Sequence, residues 1–378
     1  MPERSVFSWN RPGFKPHRRR RPGIITASGA LARPTPLPGY DMSAFFDSLS
    51  PNTAGTVYAA PLSDYTVISA SGADALSFLH GQLTQDVTGL TPETARLGGY
   101  CTAKGRLLAT LVLWRTQQTG EASENADGPQ LYALVRRDLT EALVKRLSMF
   151  VLRAKAKLAP AALHVTGVWA EPADMAKLEA AVGGTLPATP WQRAELPSGT
   201  WIAAPSVSGG LRWWWIASEA QQTSAAALAA LVQRGDADQW HAADLAAGLP
   251  WVGAATQDLF IPQTLNLDLI GGVSFTKGCY PGQEIVARSH YRGTVKRRTA
   301  YGQWDTMNEP PAPGTDIYDA RQPDEPCGRI VDASRNGALF EIALASLDDG
   351  DLRVGTPEGA KITVTPLPYD LADGGFKR

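Results

Sequence analysis

Lys277-Gly278-Cys279-Tyr280-Pro281-Gly282-Gln283-Glu284-Ile285-Val286-Ala287-Arg288 reads as a tight loop feeding a helix. Gly278 and Gly282 permit backbone angles that side chains with a Cβ avoid. Glu284 then falls in the first helical turn, where a carboxylate is favoured. Cys279 sits just upstream of the helix start, with Lys277 two residues away. Unpaired N–H groups at a helix start and a nearby ammonium both stabilise a thiolate. A cysteine so placed can serve as a nucleophile or a soft-metal ligand. The competing reading is a small apolar residue filling a loop, because free cysteines are commonly buried and inert.

Around this run the chain has 378 residues, 44% of them hydrophobic, which suits two or three domains. A net charge of -1 excludes a general polyanion binder, so any nucleic-acid surface must be local. No apolar run is long enough for a spanning helix, and no membrane partner is expected. Three cysteines at wide spacing, Cys101, Cys279 and Cys327, argue against a disulfide framework and for a reducing compartment. No CxxC occurs, and the five histidines form no HExxH pair, so no metal site is expected.

Residues 1–41 stand apart. They carry Arg18 to Arg21, many prolines, and only Glu3 and Asp41 as acids, so disorder is expected. A mitochondrial transit peptide and a basic nucleic-acid arm both fit the composition. An upstream start codon is the preferred reading. Met42 would then open the working protein, with a helix over Ser43–Leu49 following at once.

Beyond Ala59 the pattern is that of a mixed α+β protein. Strands are predicted at Tyr65–Ile68, Arg106–Arg115, Leu131–Val135 and Arg153–Leu158, with a helix over Gly72–Leu79 and a hairpin loop over Gln117–Pro129. Asp138 is expected to cap a helix burying Leu139, Leu143, Leu147 and Phe150. Further strands fit Leu163–Trp169, Trp201–Ala204 and Leu211–Ile216, and helices fit Ala173–Val182, Ala220–Gln233 and Ala237–Ala247. Trp213, Trp214 and Trp215 share one strand, so Trp214 should face away from the other two. One of them can offer a stacking platform; core packing is expected for at least two. From Lys296 onward, short apolar runs at Ala300–Trp304, Gly328–Asp332, Ala338–Ala343 and Lys361–Thr365, divided by Gly/Pro turns, predict a small β-barrel.

The Lys277–Glu284 run resembles the K-G-C-[FY]-x-G-Q-E signature of YgfZ-type proteins, a folate-binding branch of the glycine-cleavage T-protein superfamily. The likeness extends to Phe78-Leu79-His80-Gly81-Gln82-Leu83-Thr84-Gln85-Asp86-Val87, similar to an FLQGQ-T-x-D segment, and to Cys101-Thr102-Ala103-Lys104-Gly105-Arg106. Ile261-Pro262-Gln263, Gly271 to Phe275, and Trp240 through Pro250 follow the same pattern, so it spans about Asp64 to Trp304. The resemblance implies two interlocked mixed α/β domains, residues 42–160 (completed by segments near 240–298) and 161–298. A β-barrel at 299–368 and a tail at 369–378 complete that layout around a central hole that binds tetrahydrofolate or a derivative. It implies an accessory protein for iron–sulfur cluster assembly or repair and for iron–sulfur-dependent tRNA modification. That protein would be monomeric and cytoplasmic, or in the mitochondrial matrix if residues 1–41 are a transit peptide. Its transient partners would be iron–sulfur client or assembly proteins.

In this reading Cys279 is the working thiol and Lys277 lowers its pKa. Gly278, Tyr280, Gly282, Gln283, Glu284, Gln82, Asp86, Lys104 and Arg288 are the candidate folate contacts. Gln82, Asp86 and Lys104 have turn and cap chemistry as their ordinary alternative. Departures from the aminomethyltransferases are specific. They have an acid where Cys279 stands, a catalytic aspartate in the region matching Thr102–Leu113, and a GYTGE-type folate segment. Here Thr102–Leu113 contains no acid, and Gly209 to Trp215 lies where the GYTGE segment would be. A folate-dependent one-carbon transferase is therefore the second reading. Arg288, Arg292, Lys296, Arg297 and Arg298, with no intervening acid, form a candidate patch for a polyglutamate tail or for RNA. His290, eleven residues from Cys279, is a conceivable partner for a Cys–His couple.

Overall fold

Apolar residues alternate along Tyr65–Ser71, and the strand buries both of its faces. Tyr65 and Val67 join one core cluster, whereas Ile68 and Ala70 join another. The computed structural model describes residues 43–49, 55–116, 129–207, 209–291, 295–305, 307–347 and 349–371. The expected disorder of 1–41, the loop within 117–128, and Arg292 lie outside the described residues.

Three sheets carry the fold. The first is antiparallel, in the order Ala95–Cys101, Leu107–Arg115, Pro129–Arg136, Tyr65–Ser71, Lys157–Pro160. One face is covered by the helices Ala75–His80 and Thr140–Val151 through Leu79, Leu143 and Leu147. The second sheet runs Gln233–Arg234, Val57–Pro61, His164–Ala170, Leu211–Ala217, Gly199–Ala203, Arg193–Leu196. Thus the strand Val57–Pro61 enters one sheet and the next strand, Tyr65–Ser71, enters the other, so the chain weaves between them. The third sheet runs Leu352–Val354, Asp316–Asp319, Gly328–Ser334, Gly337–Ala343, Arg297–Gln303, Thr363–Thr365. Its first strand also bonds to the segment entering its last, through Val354 N to Ala360 O and Ile362 N to Leu352 O, so the sheet curls back on itself.

One core cluster joins all three sheets. It holds Val67 and Trp114 from the first, Val165 and Trp214 from the second, and Val331 and Leu339 from the third. Trp214 faces this core with Trp240 and Trp251, whereas Trp213 and Trp215 face the opposite cluster, as the strand period requires. All three indoles are fully buried, so none is a surface platform. The helix Ala237–Ala246 is held to the second sheet by a buried ion pair, Arg212 Nη2 to Asp244 Oδ1 at 2.6 Å. Trp251 Nε1 donates to the other oxygen of that carboxylate at 3.1 Å.

Several local expectations need correction. Asp138 does not cap the helix; it lies in a 3-10 turn, Arg137–Leu139, and its carboxylate accepts from Ala254 N at 2.9 Å. Phe150 is exposed, because Val151, four residues after Leu147, takes the inward place. The predicted strand Arg153–Leu158 is reduced to Lys157–Pro160. Leu152, at φ 45°, turns the chain before it, and Asp74 accepts from Lys155 N at 2.7 Å. The helix predicted over Ala220–Gln233 is two, Glu219–Ser224 and Ala226–Leu231, broken at Ala225 with ψ 44°. Val232 is then extended, which lets Gln233 pair in parallel with Tyr58.

Candidate functional site

Three separate segments build the environment of Cys279. The helix starts at Gln283 with Glu284 in its first turn, as the sequence predicts, and Gln283 N donates to Tyr280 O at 3.1 Å. The loop before it lies on the turn Thr102–Arg106, closed by Gly105 N to Thr102 O at 2.9 Å and Thr102 N to Arg106 O at 2.8 Å. The contact is glycine on glycine. Gly282 has φ 81° and Gly105 φ 71°, and a Cβ on Gly282 would fall on Thr102 O and lie 2.6 Å from Gly105 Cα. Two motifs far apart in sequence are therefore fitted together by the absence of two side chains.

Lys277 ties this loop to the third segment. Its Nζ donates to Leu83 O at 2.7 Å and to His80 O, and it lies 4.8 Å from the centre of the Tyr280 ring. Burial pushes the Lys277 ammonium down to about 8, with Asp86 and Cys279 pulling it the other way. The segment 84–85 is fixed to 271–274. Thr84 Oγ1 donates to Gly272 O at 2.7 Å, and Gln85 Nε2 donates to Gly271 O at 2.7 Å and to Leu97 O at 2.8 Å.

Within this frame Cys279 is exposed. Cys101 is buried, and desolvation pushes its thiol up to about 12; Cys327 is half-buried, and its thiol is also raised, first by burial. Tyr280 is buried behind Cys279, and burial raises its hydroxyl. Asp86 performs turn chemistry, accepting from Thr88 Oγ1 at 2.7 Å, Thr88 N at 3.0 Å and Gly89 N at 3.0 Å. The Thr88 hydroxyl leads in holding the Asp86 carboxyl below its usual range. Gln82 Oε1 is buried with no partner among the described residues. Gly278, Glu284, Lys104 and Arg288 are exposed, and Gln283 is half-buried.

The sequence reading overlooked His80. Its Nδ1 lies 3.2 Å from Asp86 Oδ1, at ion-pair distance but without hydrogen-bond geometry. Its Nε2 is 3.8 Å from where a Gly278 Cβ would stand. The available signal was the histidine at the third position of an FLQGQ-like segment. His290, by contrast, stacks on Phe275 with ring centres 3.7 Å apart.

The basic run after the helix is not a continuous patch. Arg298 is buried in a bidentate pair with Asp268, at 2.6 and 3.1 Å, and also donates to Gln263 O. Arg297 pairs with Glu341 at 2.8 Å. Both acids come from elsewhere in the chain, which a local charge reading could not supply.

A cavity of about 290 Å³ opens between the first sheet, the helix Ala237–Ala246 and the curled third sheet. Tyr65, Trp240 and prolines 310, 311 and 313 form apolar walls, and Arg136, His241 and Asp332 supply charge. His241 Nε2 stands 3.3 Å from Asp332 Oδ1. Burial alone would lower the His241 pKa, but the Asp332 carboxylate outweighs it and the pKa is raised. Burial likewise opposes ionisation of Asp332, but His241 and Arg136 hold its pKa below the usual value. Asp332 Oδ2 and Trp240 Nε1 are buried without a partner among the described residues. A second, more open groove of about 350 Å³ runs past Leu97, Trp191 and Ile270. None of the expected folate contacts in the Cys279 region lines either space. Among the described residues, no helix is long and apolar enough to cross a membrane.

No family model matches the chain. The tRNA-modifying protein YgfZ of Edwardsiella ictaluri is 32% identical over 326 residues, 82% of this chain and 91% of that protein. The protein of the same name from Yersinia pseudotuberculosis is 30% identical over 319 residues, covering 82% and 92%. Among solved structures, the glycine cleavage system aminomethyltransferase T from Bartonella henselae aligns with a TM-score of 0.62 at 14% identity, over 83% of this chain and 86% of that one. The mixed sheets described above are thus those of the T-protein fold. Kinship across nearly the whole length of its curated relatives makes this chain a member of the YgfZ family.

Proposed function

We propose that the protein is a folate-binding accessory factor that sustains iron–sulfur enzymes, tRNA-modifying ones included, through the thiol of Cys279. One observation carries the reading: of the three cysteines, only Cys279 is exposed, on a loop anchored by the half-buried ammonium of Lys277. The relatives' name supports the tRNA connection, and the T-protein fold supports a folate cavity.

The cavity beside Tyr65 and Trp240 is of a size to admit a pterin head group. Its volume of about 290 Å³ is near the lower end of small-molecule pockets, roughly 300–1,000 Å³. Tyr65 and Trp240 border it but are 3% and 1% exposed, Arg212 lies 4.0 Å over the Trp240 ring, and the unpartnered Asp332 Oδ2 and Trp240 Nε1 are buried. Neither ring therefore offers a pterin an open face. When bound, folate supplies a one-carbon carrier.

At the second locus, Lys277 holds positive charge in the loop that carries Cys279. Gly278, Gly282, Gln283 and Glu284 shape the loop, which Lys277 ties to His80 and Leu83, and Lys104 and Arg288 are exposed. The T-protein fold favours a second reading, aminomethyl transfer. Against it stands the Thr102–Leu113 segment, which has no carboxylate to act as base. A glycine-cleavage assay with purified protein and tetrahydrofolate separates the two. No turnover in the absence of a client protein is expected; sustained turnover would make the protein a transferase.

A further inference from the structure

The helix Thr140–Val151 runs into a turn over residues 151–154, closed by Ala154 N to Val151 O at 2.7 Å. Leu152 is the second of its four residues, at φ 45° and ψ -98°. Those angles lie near the first central position of a type II′ turn, where glycine is the usual residue. A leucine there strains the backbone. No packing offsets the strain, because Leu152 is 87% exposed. Met149 and Phe150, just before it, are 60% and 48% exposed. Large apolar side chains thus project from one helix end, at a turn that glycine would form more easily.

Cations flank them. Lys145 lies four residues before Met149, and so beside it on the helix surface. Arg153, Lys155 and Lys157 follow Leu152, and all four cations are exposed. None of the four forms an ion pair among the described residues. The acids of the adjoining described segments are Glu141, a turn before Lys145, and Asp74, whose carboxylate accepts from Lys155 N at 2.7 Å. The tip is therefore apolar at its point and positive around it.

Whatever covers such a tip must bring anions and must accept aliphatic side chains. A second copy, or residues 1–41 with Arg18 to Arg21, would set cation against cation. Residues 117–128 bring three acids but no apolar residue larger than alanine. A nucleic acid offers phosphates and no place for Leu152 or Met149. A protein pocket would have little to hold, because the projecting side chains expose on the order of a few hundred Å², against roughly 800 Å² a side in stable protein interfaces. An anionic phospholipid surface meets both needs without a shaped partner. Apolar side chains enter the acyl boundary, and the cations stay among the headgroups.

We infer that the tip formed by Met149, Phe150 and Leu152 is a peripheral docking site for an anionic phospholipid surface. The contact is interfacial and needs no spanning helix. It is independent of the folate and thiol readings. Co-sedimentation of the full-length protein with vesicles tests it, using pure phosphatidylcholine and a phosphatidylcholine–phosphatidylglycerol mixture. The unaltered protein should bind the mixture about tenfold or more tightly than the neutral vesicles, and added salt should shrink the difference. Leu152→Gly removes the apolar point and suits the turn. It should hold its melting temperature while binding to the mixture falls about tenfold. Lys155→Glu combined with Lys157→Glu should abolish the preference for the mixture, and this variant decides the matter if Leu152→Gly disturbs folding. Equal binding of both vesicles by the unaltered protein overturns the inference. So does a preference that survives the lysine changes. Binding that a folded Leu152→Gly leaves unchanged also overturns it, and would mark a surface that reads charge alone, as a nucleic-acid site does.

Discussion

Gly282 illustrates how much a single position can decide. Its φ of 81° is one that a Cβ makes unfavourable by roughly 1–2 kcal/mol. Steric exclusion is added here, because the Cβ would fall on Thr102 O and against Gly105 Cα. Gly209 has nearly the same backbone, φ 77°, with nothing within 4 Å of its would-be Cβ. Replacing each by alanine separates conformation from contact. Thermal or urea unfolding should show a loss of about 1–2 kcal/mol for Gly209→Ala and about 2–5 kcal/mol for Gly282→Ala. Equal losses would mean that the two motif loops do not press on one another. At this scale the sequence was partly legible. The glycines of Lys277–Glu284 announce a tight loop, and Glu284 announces a helix start. The partner of Gly282 was not visible, since Gly105 is 177 positions away and nothing local links them. His80 and Asp332 stayed hidden for the same reason: their roles come from neighbours distant in sequence.

Between elements, the contact with a measurable pH signature is that of His241, on the helix Ala237–Ala246, with Asp332, on the strand Gly328–Ser334. The groups acting on His241 are Asp332 and Asp244, which raise its pKa, and Arg136 and burial, which lower it. A histidine with a raised folded pKa contributes stability that is complete below its unfolded value, near 6.5, and is lost as pH rises through the folded value. Asp332, with a lowered folded pKa, contributes above the ordinary carboxylate value and loses that contribution as pH falls through the folded one. The pair thus works best in the interval between those two losses. Scanning the melting temperature upward from about pH 6.5 should reveal a decline worth about 1 kcal/mol that His241→Gln abolishes. A decline of the same size in the variant would assign it to other groups. Element prediction succeeded where apolar alternation was long, as at Leu107–Arg115 and Leu211–Ala217. It missed Val57–Pro61, which is short, and Ala95–Cys101, which carries two glycines. It fused two helices at Ala225, because alanine gives no sign of a break.

For the whole molecule, one core shared by three sheets explains why the thiol loop and the cavity belong to one unit. The C-terminal chain reinforces that unity. Tyr369 Oη donates to Gly248 O at 3.0 Å and accepts from Asn266 Nδ2 at 3.3 Å, fastening the chain end beyond the third sheet to segments of the body. The T-protein fold was legible through family-like motifs spaced in the expected order, and the small β region through its Gly/Pro-divided runs. The cavity was not legible, because its walls come from residues 62–65, 136, 237–241, 310–313 and 332–333, none adjoining the motif. Function at this scale turns on whether the exposed sulfur is the working group. The most direct measurement is the level of methylthiolated tRNA in a deletion strain carrying Cys279→Ala, with tetrahydrofolate binding and melting temperature recorded on the purified variant. Tetrahydrofolate binding and stability are predicted to match the unaltered protein while methylthiolation falls to the level of the deletion strain; full methylthiolation in that strain would contradict the account.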